Sequence, residues 1–563
     1  MSLVALIVLA CLAVGYTLYG RFVARQYTLD DRRTTPAVSM NDGVDYVPTA
    51  KSYLLGQHFS AIAAAGPIAG PILACQLFGW GPSLLWIVLG VVFIGAVHDF
   101  SALVASVRHK ASSVAELVRD HVSRRAYLAM MAFIWLALIY VLVAFADITA
   151  STFLGKTEEL PGEVSFNPGG AVAMASLLYL TLSVVMGLVQ RKLEPPLWLL
   201  TLVFVPATLV AVWAGTKLST VLLLDGQSWG LVICVYCFVA ALLPVWLLLQ
   251  PRGYLGGFIL YLSLAFGAVG LFFGGAPIAQ PAFKGWGGPS ATSALLPFLF
   301  VTIACGACSG FHGLVCSGTT SKQIKQESDC KPVGYGAMLL EAFVALIALG
   351  TIMTVAPEDV AGRGPGRIYG DGLGRYIAMV VGEDHLVFAR TFGAMAFSTF
   401  VFDTIDVATR LGRYILEELF GWQTQQGLRA KAGHAGATLL TIAPPAIVLA
   451  TAVSTPGQPP AYMKFWTLFG TSNQLLAALT LMGVAMWLWS EGRRVWFVVL
   501  PMIFVFGITV WALLVQVVHT KDLVLRATAA ALLALAALVS FEVYRVGRRG
   551  RPDRKSTRLN SSH

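Results

Sequence analysis

The residues with chemistry to offer in this chain are ionisable groups set in otherwise apolar runs: His58, His98, Asp99, Asp147, His312, Glu341, Asp403, Asp406 and Arg410. At mid-bilayer such a group costs ~2.5–3.5 kcal/mol on insertion scales, so it faces a partner or a wet cavity and marks a functional position by default. The chemistry within reach is reversible protonation and charge pairing. Adjacent helical residues point about 100° apart, so His98 and Asp99 are not expected to pair tightly with each other. Asp99 is expected to meet a neighbouring helix, either as a proton acceptor or as a structural bridge. Glu341, in MLLEAFVAL, has no basic neighbour in the sequence, which favours a protonatable role. Asp403, Asp406 and Arg410 stand at i, i+3 and i+7, on one helical face. They read as a proton acceptor held by Arg410, as an inner-gate salt bridge, or as a static ion pair. Asp147, at the outer end of its helix, reads as structural.

His312 lies in CGACSGFHG, where Gly306, Ala307, Ser309, Gly310 and Gly313 allow backbones to approach closely and favour unwinding. Ser309 and His312 therefore stand as candidate substrate ligands. So do Asn473 and Gln474, in the polar run Thr471-Ser472-Asn473-Gln474 within an apolar segment. Cys305, Cys308 and His312 share a helical face but lack a clear fourth ligand. Cys234-x-x-Cys237 and Cys305-x-x-Cys308 read as small packing residues. No metal, cofactor or disulfide framework is expected.

The element that must position these groups is LLGQHFSAIAAAGPIAGPILACQ, Leu54 to Gln76. It is apolar enough to lie in a membrane, yet it carries two Gly-Pro steps, Gly66-Pro67 and Gly70-Pro71. Proline removes a backbone donor and clashes with the preceding turn, so a helix should break there. Hydrocarbon cannot solvate the freed groups, and such a break survives only inside protein or beside a cavity. A broken membrane helix opening near His58 points to a transport site, with His58, Gly66, Pro67 and Gly70 as candidate substrate contacts.

The composition agrees. Of 563 residues, 57% are hydrophobic and 12% charged, against ~25% charged in soluble domains. The net charge of +10 is scattered over short loops, with no basic groove to suit nucleic acid. Segments of ~20 apolar residues give an all-α polytopic membrane protein of about fifteen spans. Among them are 54–77, 229–250 and 291–314, and 356–384 is expected to be the longest outer loop. An N-terminal membrane part, 1–355, is followed by a second part of the same bundle, 356–545. A basic tail, 546–563, ends in KSTRLNSSH, which looks foreign. Most Lys and Arg residues fall on one side if the N-terminus is outside and the C-terminus cytoplasmic. Ser112–Val122 reads as an amphipathic helix at the inner surface.

Seven motifs carry a family resemblance: GQHFSAIAAAGPIAGP, IGAVHDF, LPVWLLLQPRGYL, CGACSGFHGLVCSGTTSKQI, KPVGYGAMLLEA, FDTIDVATRLGRYILEEL and LFGTSNQLLAALTL. With them the chain resembles the carbon starvation A (CstA) family of bacterial inner-membrane transporters, from about Tyr53 to about Met482. Family members usually have two histidines where Gln57-His58 stands here, so a role for the second imidazole alone survives. The resemblance implies import of pyruvate or peptides with proton coupling, and a five-plus-five inverted repeat of the APC/LeuT type. Pro244 would then mark the counterpart of the Gly-Pro break. The implied partners are a small-molecule substrate, protons and membrane lipid. Pyruvate or a similar small carboxylate is the first reading and a di- or tripeptide the alternative. An intramembrane enzyme lacks an HExxH or GxSxG motif, and a sensor would lack an attached signalling domain.

Overall fold

The computed structural model describes residues 1–549, apart from 44, 161–163, 289–292, 423–426 and 452–460. KSTRLNSSH lies outside the described residues. Among the described residues, twelve helices are long and apolar enough to cross a membrane, from Ser2–Tyr27 to Leu523–Arg548, or thirteen if the bent pair Lys51–Ile62 and Gly66–Phe78 is one span. The fifteen expected spans are therefore not all met by length and composition. Expected span 229–250 is the 17-residue helix Gly226–Leu242. The chain leaves it just before Pro244, which sits in the connecting turn rather than inside a helix. Expected span 291–314 holds the separate helices Leu295–Thr302 and Gly310–Gly318. A two-stranded antiparallel hairpin pairs Glu158 with Phe166.

Burial separates the bundle into core and rim. The most apolar window of Tyr462–Ser490 is wholly buried, and those of Trp80–Arg108 and Glu327–Met353 are 83% buried. The corresponding windows of Ser2–Tyr27, Leu197–Lys217, Trp496–His519 and Leu523–Arg548 are a third buried or less, so these helices form the rim. The three core helices carry His98, Asp99, Glu341, Asn473 and Gln474, and apolar rim helices enclose them.

One expectation fails outright. The segment 356–384 is not a plain outer loop, because Pro365–Val381 is a helix buried along one face. Its glycines recur every four residues. A Cβ at Gly370 would lie 2.8 Å from the Ala394 nitrogen, and one at Gly374 would lie 2.8 Å from that of Arg390. The glycine stripe lets this helix lie directly on the backbone of Leu386–Leu419. Glycine-rich composition reads as a loop when only hydropathy is considered.

The inner-surface helix is present as Val114–His121, opened by a reciprocal capping box between Ser113 and Glu116. His109 Nδ1–H donates to the Ala105 carbonyl at 2.7 Å. Its Nε2 lies 2.8 Å from His121 Nε2, so a single proton is shared between these two nitrogens. Burial, then His109, pushes the His121 imidazole down to about 4 against the weaker opposing pull of Asp120 and Glu491. A depressed histidine favours the folded state fully above about pH 6.5, and that stability is lost as pH falls toward 4. Lowering the pH from 7.5 to 5 is therefore expected to lower the amide protection factors of Val114–His121, each rate being taken against the intrinsic rate at its own pH, and His121→Gln should flatten the dependence. Equal protection factors at the two pH values would refute it.

Candidate functional site

The first broken helix bends by 46° between Lys51–Ile62 and Gly66–Phe78. Its non-helical residues are Ala63–Ala65, so the break falls on the N-terminal side of the Gly-Pro steps. Gly66 and Pro67 form the first turn of the second half, where a missing N–H costs nothing. The second broken helix crosses the first in the opposite sense. A Cβ at Gly66 would lie 2.5 Å from Cys305 Sγ, and one at Gly70 would lie 2.8 Å from the Thr302 carbonyl oxygen. The second half of the first broken helix thus packs on the end of Leu295–Thr302. Its first half meets Gly310–Gly318 through the buried His58, whose Nδ1 is 2.8 Å from Thr320 Oγ1 and whose Nε2 is 3.9 Å from Cys316 Sγ.

The freed backbone groups of the second break find side-chain partners. Trp86 Nε1–H donates to the carbonyls of Phe300 (3.2 Å) and Ile303 (3.3 Å), Trp466 Nε1–H to Thr302 (3.0 Å), and Gln474 Nε2–H to Phe300 (2.9 Å). On the far side of the gap, Phe311 N–H donates to Asn473 Oδ1 at 2.9 Å. Asn473 Nδ2–H reaches Ser309 Oγ at 3.0 Å and Cys305 Sγ at 3.3 Å. These bonds replace the water that hydrocarbon cannot supply. In this conformation Asn473 and Gln474 are spent on the break itself. Asn473→Leu is expected to leave the Phe311 N–H without an acceptor, at a cost of about 1–3 kcal/mol. A thermal unfolding scan in detergent should show the loss, and an unchanged midpoint would contradict it.

Beside the crossing lies a chain of ionisable groups. His98 Nδ1 is 2.7 Å from Asp99 Oδ1, His312 Nδ1 is 2.9 Å from Asp99 Oδ2, and His312 Nε2 is 3.4 Å from Glu341 Oε2. The side chains are at most 2% exposed. The pairing of His98 with Asp99 corrects the expectation drawn from helical angles: imidazole Nδ1 is close enough to its own backbone to swing onto the neighbouring carboxylate. Neither Glu341 oxygen has a hydrogen-bond partner, nor does His98 Nε2. Both acids sit just beyond π-helical turns, Val91–Gly95 and Lys331–Gly336, which re-register the helices carrying them. Gly95 lets the first of these helices touch the break, since a Cβ there would lie 2.2 Å from the Ala307 carbonyl oxygen.

Asp403 and Asp406 form a second cluster, and their partner is Arg252 rather than Arg410. Arg252 Nε–H donates to Asp403 Oδ1 at 2.9 Å, and Nη1–H donates to Asp406 Oδ2 and, at 2.6 Å, to the Tyr236 hydroxyl. That hydroxyl donates in turn to Asp406 Oδ2 at 2.9 Å. Arg410 instead donates to the carbonyls of Ala240 and Leu243, closing the C-terminal end of Gly226–Leu242. Arg410 stands one turn from Asp406, but Arg252 already holds that carboxylate, and the carbonyls left free by the Pro244 stop take Arg410 instead. Arg252 escaped the sequence reading because QPRGYL fits an inner loop. Its signal was a single charge between two apolar runs. Asp147 accepts a backbone hydrogen bond from Tyr462 and joins neither cluster.

A bundle of apolar helices with two crossed breaks and buried titratable chains defines a membrane transporter. The chain matches the family described as carbon starvation protein CstA over residues 1–362 and 358–512, and belongs to that family. It is 30% identical to the peptide transporter CstA of Helicobacter pylori strain ATCC 700392 / 26695, covering 91% of this chain and 82% of the relative. It is 33% identical to the peptide transporter CstA of Bacillus subtilis strain 168, covering 84% and 82%. The pyruvate/proton symporter BtsT of Escherichia coli strain K12 is 29% identical, covering 90% and 80%. A manganese transporter of Eremococcus coleocola aligns at a TM-score of 0.46 and 15% identity over 91% of this chain and 99% of that one, too loose a likeness to carry an argument.

Proposed function

We propose that this protein is a proton-coupled symporter that imports a small carboxylate, with pyruvate first and a di- or tripeptide as the alternative. The observation that carries the reading is Asp99, held between His98 and His312 with Glu341 on the far side of His312. This chain of groups able to exchange protons is buried where the two broken helices cross. The antiparallel crossing is our ground for an inverted pair of broken helices, with the second break at 303–309 and not at Pro244, where the sequence places it. We take the membrane to be the bacterial inner membrane, the N-terminus to be outside and the C-terminus cytoplasmic. Asp99, Glu341, Asp403 and Asp406 are our candidates for carrying the one transported proton, and its presence biases the bundle between inward- and outward-open states. His58, Gly66, Ser309 and His312 face the crossing and are our candidates for the walls of the substrate path.

The pyruvate reading draws on the named symporter relative, and the peptide reading on the named peptide transporters. The test is uptake into proteoliposomes with an imposed pH gradient, with labelled pyruvate and labelled dialanine in parallel. Accumulation of either that collapses with a protonophore supports the proposal. Uptake of neither, or uptake that follows sodium instead, refutes it.

A further inference from the structure

The guanidinium of Arg252 is completely buried, and its planar fork is suited to two carboxylate oxygens. Here Nε and Nη2 both converge on one oxygen, Asp403 Oδ1, at 2.9 and 2.8 Å. Nη2 makes no hydrogen bond of proper geometry, so this edge of the fork meets one carboxylate oxygen where it could take two. Asp403 keeps a quarter of its side chain exposed, whereas Arg252 and Asp406 are buried.

A glycine-bearing helix passes close by Asp403. The helix Leu249–Phe273 carries Gly256 and Gly257 where it passes the aspartate. A Cβ at Gly256 would stand 3.1 Å from Asp403 Oδ2, 3.4 Å from the Tyr179 hydroxyl and 3.6 Å from Thr399 Cγ2. The nearest atom to a Cβ at Gly257 would be Ser60 Oγ, 3.9 Å away. Ser60 belongs to the first broken helix, two residues beyond His58. Thr399 Oγ1 is buried without a partner. Two glycines thus bring this helix close to Asp403, to the Thr399 methyl and to the break-bearing helix.

We propose that the Arg252 fork is the receptor for the substrate's carboxylate, and that Asp403 is the internal carboxylate it displaces after taking up a proton. The assignment rests on the carboxylate-symport reading above. The charged and titratable groups facing Asp403 and its partner are Arg252, Asp406, Tyr236 and Tyr179, with Cys237 and Arg410 beside Asp406. With both aspartates ionised, Arg252 leaves the cluster one negative charge. A substrate carboxylate alone would double that charge in a buried site. One proton on Asp403 releases the fork and restores the original charge, so carboxylate and proton enter together. The step forms one O–H bond on Asp403, exchanges one ion pair for another and breaks no covalent bond. Pyruvate with one proton then crosses without net charge, whereas a zwitterionic peptide with one proton carries one positive charge.

The test uses the full chain in proteoliposomes and follows counterflow of labelled pyruvate and labelled dialanine. Pyruvamide and dialanine amide serve as competitors that lack the carboxylate. In the wild type, each acid is expected to compete at least about a hundredfold better than its amide, as for a site whose buried donors the amide leaves unpaired. Wild-type counterflow should slow from pH 6 to pH 8. Asp403→Asn should show counterflow that no longer varies with pH, and no accumulation under a pH gradient. Arg252→Lys should raise KM about tenfold or more, because a point charge replaces the fork. A membrane potential should accelerate dialanine entry but not pyruvate entry. Gradient-driven accumulation by Asp403→Asn with the wild-type pH profile would overturn the proposal. So would a wild-type KM in Arg252→Lys, or loss of Asp403→Asn counterflow at every pH, which would make the pair a strut. Failure of the wild type itself to accumulate either substrate would instead refute the symport reading.

Discussion

Glu341→Gln is expected to abolish accumulation of substrate against its gradient while leaving the fold intact. The glutamate side chain is fully buried, and neither oxygen has a hydrogen-bond donor of proper geometry; its nearest ionisable partner is His312 Nε2 at 3.4 Å. Glutamine has nearly the same volume and gives up no well-formed bond, so thermal stability should change by less than about 1 kcal/mol. Glutamine cannot take up a proton, and an acid that drives coupling is irreplaceable in that respect. Net uptake driven by a pH gradient should therefore fall by about a hundredfold or more, the scale of a proton-transfer group. Counterflow requires no net proton movement and should fall far less. Asp99→Asn should be worse on both counts. The Asp99 carboxylate lies within hydrogen-bond distance of two imidazoles, and hydrogen bonds to charged groups are worth about 1.5–3 kcal/mol each. Its loss should lower the unfolding midpoint as well as uptake. Unimpaired accumulation in Glu341→Gln would remove that acid from the coupling mechanism.

The membrane-spanning architecture was legible because hydropathy and Gly-Pro steps are local signals. The break in the first helix was legible for the same reason, although it falls at Ala63–Ala65, one turn before the prolines that enforce it. The buried acids were legible one by one, since each is a charge in an apolar run. Their partners were not. His312 and Asp99 are 213 positions apart in sequence, and Arg252 and Asp406 are 154 apart, so only the packing of helices brings them together. Arg410 shows how a sound periodicity argument misleads. It does share a face with the aspartates, but open carbonyls at a neighbouring helix end attract it more directly. The helix Pro365–Val381 was misread because its glycines serve close packing rather than a turn, and composition cannot separate the two uses. Twelve or thirteen long spans in place of fifteen follow from the same cause. A segment broken by glycine, serine and proline keeps its hydropathy but loses its helical length.

Gly95→Val is expected to prevent the correctly folded protein from accumulating in the membrane. The position is one turn before Asp99, within the π-helical stretch of Trp80–Arg108. Even a methyl group there would lie 2.2 Å from the Ala307 carbonyl oxygen and 2.8 Å from the terminal carbon of Met338. The methionine can move, but the carbonyl belongs to the break between Leu295–Thr302 and Gly310–Gly318, whose backbone is fixed by Trp86, Trp466, Gln474 and Asn473. Relief would require pushing the His98–Asp99 helix away from His312. That movement would pull apart the 2.9 Å contact between Asp99 and His312 and leave the carboxylate short of a partner in a dry interior, a loss of about 3–5 kcal/mol. This is a large share of the ~5–15 kcal/mol that typically holds a protein folded. Gly95→Ala tests the same geometry more gently. It should fold at lowered temperature, with a depressed unfolding midpoint and slowed gradient-driven uptake. Gly253→Ala is the control, because a Cβ there meets nothing within 4 Å. It should behave as wild type in yield and unfolding. Equal yields for Gly95→Val and the control would mean that the acid-bearing helix does not rest on the break, and the coupling chain would lose its physical link to the crossing.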